Sequence, residues 1–238
     1  MKRVIITGGG TGGHIYPAIA IANAIKAMDD QTEILFVGAA GKMEMEKVPA
    51  EGYRIVGLPV AGFHRRVTLK DLLIQVKLFI SMIKAWRTVR NFKPDAVAGV
   101  GGYASGPVLR IATSLGIPSL IQEQNSFPGV TNRILAKKVQ KICVAYQGME
   151  KFFPAEKILL TGNPIRKNII DPRIDKVKAL DFFGLTPSAQ TLLIVGGSLG
   201  SRTINEAVSA FISSGKMNGQ KIQIIWQTGK FYYEEISG

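Results

Sequence analysis

Runs of apolar, largely β-branched residues alternate along this chain with stretches whose apolar positions recur at helical spacing. "RVIIT" at 3–7 precedes a helix-period stretch over 16–28; "EILFV" at 33–37 and "RIVGLPV" at 54–60 precede a long helical segment over 69–91. The alternation continues with "DAVAGV" at 95–100, a helix over 108–115, "PSLI" at 118–121, a helix over 130–136, "KICVA" at 141–145 and "KILLT" at 157–161. Strands that are apolar throughout and separated by helices predict a parallel sheet covered on both faces, a doubly wound α/β domain. From 162 to 190 the pattern lapses into Pro, Asn and charge, and "TLLIV" at 191–195 restarts it, followed by a helix over 203–213 and "QIIW" at 223–226. The lapse predicts a first domain over 1–163 and a second over 164–238. A nucleotide-binding half of this kind needs several further βα units to close its sheet, so the second domain reads as incomplete.

Three of these strands run into glycine turns: "GGGTGGH" at 8–14, "GVGGYASGP" at 99–107 and "GGSLGSR" at 196–202. Glycine in a strand-to-helix turn removes the side chains that would keep a ligand off the backbone and leaves N–H groups facing outward, an arrangement that receives an anion. Pro17 and Pro107 follow the first two turns, where a fixed φ suits a helix start. Gly8, Gly10 and Gly13 fit G-x-G-x-x-G, but the second strand ends in Val37 and Gly38 with no carboxylate before Glu44, against a dinucleotide-dependent dehydrogenase. No Gly-Lys-Ser/Thr follows the glycines, against a Walker-type phosphate loop.

Charge sharpens the picture. Thirty Lys and Arg against 17 Asp and Glu give a net charge of +13, which favours an anionic partner. Cys143 is the single cysteine, so no internal disulfide forms, and with no His or Cys cluster at ligand spacing a metal site is not expected. The short apolar run at the N-terminus reads as a first strand rather than a signal sequence. His14 stands where the first helix begins; a helix N-terminus disfavours the imidazolium and keeps the ring available as a base. Glu123, at the end of the fifth strand, is a second candidate proton acceptor. Asn125 beside it offers a donor and an acceptor to sugar hydroxyls, or closes a local turn ahead of Pro128.

"GGGTGGHIYPAIAIANAI", "GVGGYASGP", "QEQNSFPGVTNR", "GNPIRKNI" and "GGSLGSR", in this order, resemble the MurG family of UDP-N-acetylglucosamine transferases, which complete the lipid-linked disaccharide of peptidoglycan. The resemblance implies a GT-B fold of two Rossmann-like domains. It implies inverting transfer, without metal or cofactor, from UDP-N-acetylglucosamine to the 4-hydroxyl of N-acetylmuramoyl-pentapeptide on undecaprenyl diphosphate. It assigns Thr11, Gly12, Gly13, Asn125, Arg166 and Ser198 to the donor. The acceptor diphosphate goes to the first two turns, at Gly10, Gly101, Gly102, Tyr103 and Ser105. His14 is then the proposed base, with Glu123 as competitor or supporting partner. A complete member continues for about another domain half, which supplies the ribose-binding glutamate and most uracil contacts, so this chain alone is expected to be inactive. A nucleotide-sugar epimerase of the same plan, or a non-catalytic module binding polyprenyl diphosphate or anionic membrane, are the alternatives. Nucleic-acid binding lacks an aromatic and basic platform.

The segment 64–93 concentrates cations: Arg65, Arg66, Lys70, Lys77, Lys84, Arg87, Arg90 and Lys93 against Asp71. At about 100° per residue it carries two apolar stripes. Leu72, Val76, Phe79, Ile83 and Trp86 form one; Ile74, Leu78, Met82, Ala85 and Val89 form the other. A lysine near mid-span costs about 3 kcal/mol in a bilayer, so the helix is not expected to cross one. An apolar stripe among cations suits an anionic leaflet. Val76, Phe79, Ile83 and Trp86 are therefore the expected membrane contact, peripheral to the cytoplasmic face of the plasma membrane, where the family works.

Overall fold

A computed structural model describes residues 1–60, 70–166, 175–197, 199–217 and 219–237, without the side chains of 70–75. Ser198, Arg65 and Arg66 lie outside the described residues, as do the side chains of Leu72 and Ile74. The chain divides into two compact units, Met1–Ile170 and Asp171–Gly238; Arg166 falls in the first.

The first unit is a seven-stranded sheet in the order β3-β2-β1-β4-β5-β6-β7, every pairing parallel. Its strands are β1 (Arg3–Thr7), β2 (Glu33–Ala39), β3 (Arg54–Leu58), β4 (Ala96–Gly99), β5 (Ser119–Glu123), β6 (Lys141–Val144) and β7 (Ile158–Leu160). Helices α1 (Gly12–Met28), α2 (Glu44–Ala50), α3 (Lys70–Phe92), α4 (Ser105–Ser114) and α5 (Val130–Leu135) connect them. Because successive strand residues point to opposite faces, the apolar runs feed two cores. Ile5, Leu35, Val37, Val97 and Ile121 pack with Ala85 and Val89 of α3, Val108 and Leu109 of α4 and Leu135 of α5. Ile6, Ile34, Phe36 and Ala98 pack with Ile15, Ala18 and Ile19 of α1 and Val48 of α2. Each fully buried Ile or Leu contributes roughly 1.5–3 kcal/mol by leaving water. The sheet is thus covered on both faces, as the continuous apolar strands predict.

Helical spacing did not reveal α2: in "EMEKVPA" only Val48 is a buried apolar residue, and Pro49 lies inside the helix. Helix α1 begins at Gly12, so Pro17 lies one turn deeper than the helix start expected for it. Pro107 does fall in the first turn of α4.

In α3 the two stripes part. Ala85 and Val89 are buried and Leu78 and Met82 half-buried, whereas Val76, Phe79, Ile83 and Trp86 stand exposed, Phe79 to 67%. Arg90 stacks over the Trp86 ring at 5.3 Å. No described helix is long and apolar enough to cross a membrane.

The second unit contains α6 (Lys176–Phe182), β8 (Gln190–Val195), α7 (Arg202–Ser213), β9 (Ile222–Gln227) and α8 (Tyr233–Ser237), with β8 and β9 parallel. Helix α6 occupies part of the stretch read as irregular; the Asp175 carboxylate caps it, accepting from Val177 N–H at 2.8 Å. Buried Asn205 of α7 accepts from Trp226 Nε1 at 3.1 Å and donates to the Thr228 carbonyl at 2.9 Å, tying α7 to the end of β9.

Two glycines of the first unit make a controlled comparison. Both have positive φ, +82° at Gly102 and +71° at Gly116, but only at Gly102 would a Cβ strike backbone, the Gly9 carbonyl. Gly116→Ala should cost about 1 kcal/mol, the ordinary left-handed penalty. Gly102→Ala should cost about 3 kcal/mol or more, because the strain adds to a backbone collision. Urea unfolding of both variants checks this; equal costs would contradict close seating of the two turns.

Candidate active site at the sheet switch point

Strand order reverses between β1 and β4. The connection after β1 runs to α1 on one face and that after β4 to α4 on the other, so a crevice opens at the carboxyl ends of these two strands. Both strands end in glycine turns, and the turns are fitted into each other. Gly9 N–H donates to the Gly101 carbonyl at 3.3 Å. A Cβ on Gly8 would overlap the Val100 side chain. The buried Ser105 hydroxyl shares its proton between the carbonyls of Thr7 and Gly101, each at 2.9 Å. Gln124 adds β5 to the assembly, its Nε2 donating to the Val100 carbonyl at 2.9 Å.

Above the turns lies a cavity of about 560 Å³ whose wall includes Gly10, Thr11, His14, Lys42, Gly101, Gly102, Tyr103, Glu123 and Asn132. Candidates drawn from three separate sequence segments therefore meet at one place. The imidazole of His14 lies against Gly101, where an added Cβ would approach its Nε2 to 2.9 Å. Its Nδ1 pairs with the Thr11 hydroxyl at 3.1 Å. Burial lowers the His14 pKa from its ordinary value, opposed by the negative charge of Glu123, a hydrogen bond to the Gly9 carbonyl and the charge of Glu44. The net direction is downward, so the ring is neutral at pH 7, the form a proton acceptor needs.

Glu123 is arranged differently from the expectation of a rival base. It is 1% exposed. Its Oε1 accepts from the N–H and Nδ2 of Asn125 at 3.1 and 3.0 Å, and its Oε2 from Gly129 N–H at 3.1 Å and Asn132 Nδ2 at 2.9 Å. With two donors on each oxygen, little of the carboxylate is free to take a substrate proton. It is instead the hub that shapes the 125–132 loop, and its charge acts on His14 through space.

Three expected ligand contacts are already committed within the chain. The Ser105 hydroxyl, assigned to the acceptor diphosphate, is fully buried and bonded to backbone. Gly10, assigned to the same diphosphate, gives its N–H to Glu44 at 3.1 and 3.0 Å. Exposed Asn125 directs its Nδ2 to Glu123, which leaves Oδ1 as its ligand-facing group. Gly12 and Gly13 form the first residues of α1 beside the cavity. Arg166 comes to the same helix, its guanidinium over the Tyr16 ring at 4.2 Å.

Two residues escaped the sequence reading. Asn132 is 2% exposed, and because its Nδ2 is fixed on Glu123, its Oδ1 points elsewhere, without a partner among the described residues. A buried acceptor in a cavity wall suits a ligand hydroxyl or amide N–H. Its only sequence signal was membership of "GVTNR". Glu44, noted only as an acid too late to hold a ribose, is 1% exposed and bonded to the first turn.

The Glycosyltransferase family 28 N-terminal domain matches residues 4–144. A Parabacteroides distasonis protein named UDP-N-acetylglucosamine–N-acetylmuramyl-(pentapeptide) pyrophosphoryl-undecaprenol N-acetylglucosamine transferase is 57% identical over 99% of this chain and 63% of its own length. One of the same name from Phocaeicola vulgatus is 58% identical over 98% of this chain and 61% of its own. The crystal structure of Acinetobacter baumannii MurG superposes with a TM-score of 0.72 at 28% identity, over 100% of this chain and 64% of that one. A Neisseria meningitidis UDP-GlcNAc 2-epimerase structure reaches 0.62 at 13% identity, over 100% of this chain and 69% of that one, a likeness of fold alone. The chain thus spans a little over three fifths of the length of the curated relatives it matches.

Replacing Glu123 by Gln puts an amide NH₂ among four converging donors. The variant should lose about 3 kcal/mol, in the range for breaking a buried, hydrogen-bonded charge. Chemical denaturation reads this directly; a variant as stable as the parent would show that the carboxylate does not organise the loop.

Proposed function

The chain belongs to glycosyltransferase family 28, and from that membership we propose that it carries the acceptor side of an inverting transfer of N-acetylglucosamine from UDP-N-acetylglucosamine to undecaprenyl-diphospho-N-acetylmuramoyl-pentapeptide. The observation that carries the reading is an imidazole, its pKa lowered by burial, seated on interlocked glycine turns in a cavity, within a sequence 57% identical to a transferase named for that reaction. His14 takes the proton of the muramoyl 4-hydroxyl as its oxygen attacks C1 of the sugar from the face opposite the diphosphate. The C1–O bond to UDP breaks, and the electron pair leaves on the diphosphate. The reading requires no metal: backbone amides of the second glycine turn, at Gly101 and Gly102, and the guanidinium of Arg166 face the phosphate charge. Lys42 adds a cation to the cavity wall. Asn132 Oδ1 and Asn125 hold sugar or peptide groups by hydrogen bonds.

The exposed stripe of α3 supports a peripheral seat on the cytoplasmic leaflet, where the lipid acceptor resides. Val76, Phe79, Ile83 and Trp86 would enter the headgroup boundary while Lys77, Lys84, Arg87 and Arg90 meet anionic lipid at about 1 kcal/mol per cation.

The test of the transfer is UDP release from UDP-N-acetylglucosamine with and without a short-chain lipid-linked muramoyl-pentapeptide, for this chain and for one extended to the length of its relatives. The extended protein should release UDP only with acceptor, and His14→Ala should lower that rate by about 10²–10⁴; release that ignores the acceptor would contradict the reading. For the membrane seat, co-sedimentation with vesicles should rise with anionic lipid and fall at least tenfold on Trp86→Asp combined with Phe79→Asp. Binding indifferent to both would remove α3 from the membrane contact.

A further inference from the structure

Glu44 is a buried carboxylate that the proposed chemistry does not use. It lies beneath the cavity, touching three residues that line it: Gly9, Gly10 and Ala39. Both of its oxygens accept the Gly10 N–H, at 3.1 and 3.0 Å, and Oε1 also accepts Ala39 N–H at 2.9 Å. The backbone is bare around it for a reason independent of any ligand. A Cβ on Gly9 would fall on the Glu44 carboxylate, and one on Gly38 would come within 2.6 Å of its Cγ.

In a Rossmann turn the amides released by the glycines are the seat of a ligand phosphate. Here part of that seat holds a carboxylate belonging to the chain. We propose that Glu44 is the specificity-determining residue of the first glycine turn: its carboxylate permanently fills the anion position at Gly10, turning ligand phosphate away from that amide and toward the second turn at Gly101 and Gly102. The inference rests on the reading of the cavity as a diphosphate site. It accounts for a first turn that is bare without a ribose acid at the end of β2: Gly9 and Gly38, outside the G-x-G-x-x-G positions, make the room that admits Glu44. It also divides labour between the turns, the first holding His14 and the second taking phosphate.

Magnitudes favour exclusion. A like unit charge about 5 Å from a phosphate, at an effective dielectric of about 20, weakens binding by roughly two orders of magnitude before screening. Lys42 on the opposite side of the balance is an exposed lysine, free to follow the anion. The charged groups acting on His14 are Glu123 from β5 and Glu44 from α2, with Lys42 on the cavity wall.

The test is a titration of the ¹⁵N-labelled chain with inorganic pyrophosphate, following the amide resonances of Gly10 and Gly102, in the parent, Glu44→Gln and Glu44→Ala. In the parent, Gly102 should shift while Gly10 stays. Glu44→Gln, which keeps an acceptor but removes the charge, should bind pyrophosphate about tenfold tighter. Glu44→Ala should make Gly10 respond as well. The imidazole of His14 should titrate at lower pH in Glu44→Gln, since a charge that raises its pKa has gone. If pyrophosphate moves Gly10 in the parent protein, or moves Gly102 but binds Glu44→Gln no tighter, the inference is overturned on its own. Pyrophosphate that moves neither turn in any of the three proteins overturns the diphosphate reading and the inference with it. The parent titration stands even if a variant misfolds.

Discussion

The site depends on one close approach: the glycine turn after β1 seated against the glycine turn after β4, with no side chain between Gly9 and Gly102. Parallel strands bring their carboxyl ends together, but side chains would normally hold the two loops apart. Here Gly9 N–H reaches the Gly101 carbonyl and Ser105 ties Thr7 to Gly101 beneath them. The loops therefore behave as one backbone surface. His14 rests on that surface because Gly101 has no Cβ to displace it. Preorganisation of this kind lets a base act without first being gathered from solvent.

Around that surface charge is distributed in an economical pattern. Two carboxylates, Glu44 and Glu123, are each 1% exposed, and each is surrounded by N–H donors from the loops it organises. A buried carboxylate without such donors would be costly, and one with them becomes a fixed point from which loops are hung. Neither is well placed to accept a proton, yet both act on the one imidazole between them. Burial pulls His14 toward neutrality and the two carboxylates pull it back. The net direction is toward the neutral ring, with the two carboxylates opposing burial from within the loops that hold them.

Much of the fold is legible from apolar runs, because strands covered on both faces must be apolar throughout; the stretches at 3–7, 33–37 and 141–145 give strands within two residues of their observed ends. Helix α2 is not legible, since one buried valine cannot make a period. That omission matters, because α2 carries Glu44. The pair of stripes on α3 is legible, but only packing decides which faces inward: small Ala85 and Val89 fit against the sheet side, leaving the larger Phe79 and Trp86 outside. Within the site, sequence located the turns, His14 and Glu123, while the roles of Ser105, Gly10 and Asn125 depended on partners 98, 34 and 2 residues away. A glycine or serine in a turn looks the same on paper whether it meets a phosphate or a neighbouring carbonyl.

The central claim is that His14, held neutral above Gly101, is the proton acceptor of the proposed transfer. Its most direct test is chemical rescue: His14→Ala, in the chain extended to the length of its relatives, assayed for acceptor-dependent UDP release with added imidazole. The account predicts that imidazole restores a substantial part of the rate and that the acidic limb of the rescued profile follows the free imidazole. No rescue, in a variant that still folds and still binds both substrates, would contradict it and move the proton to another group.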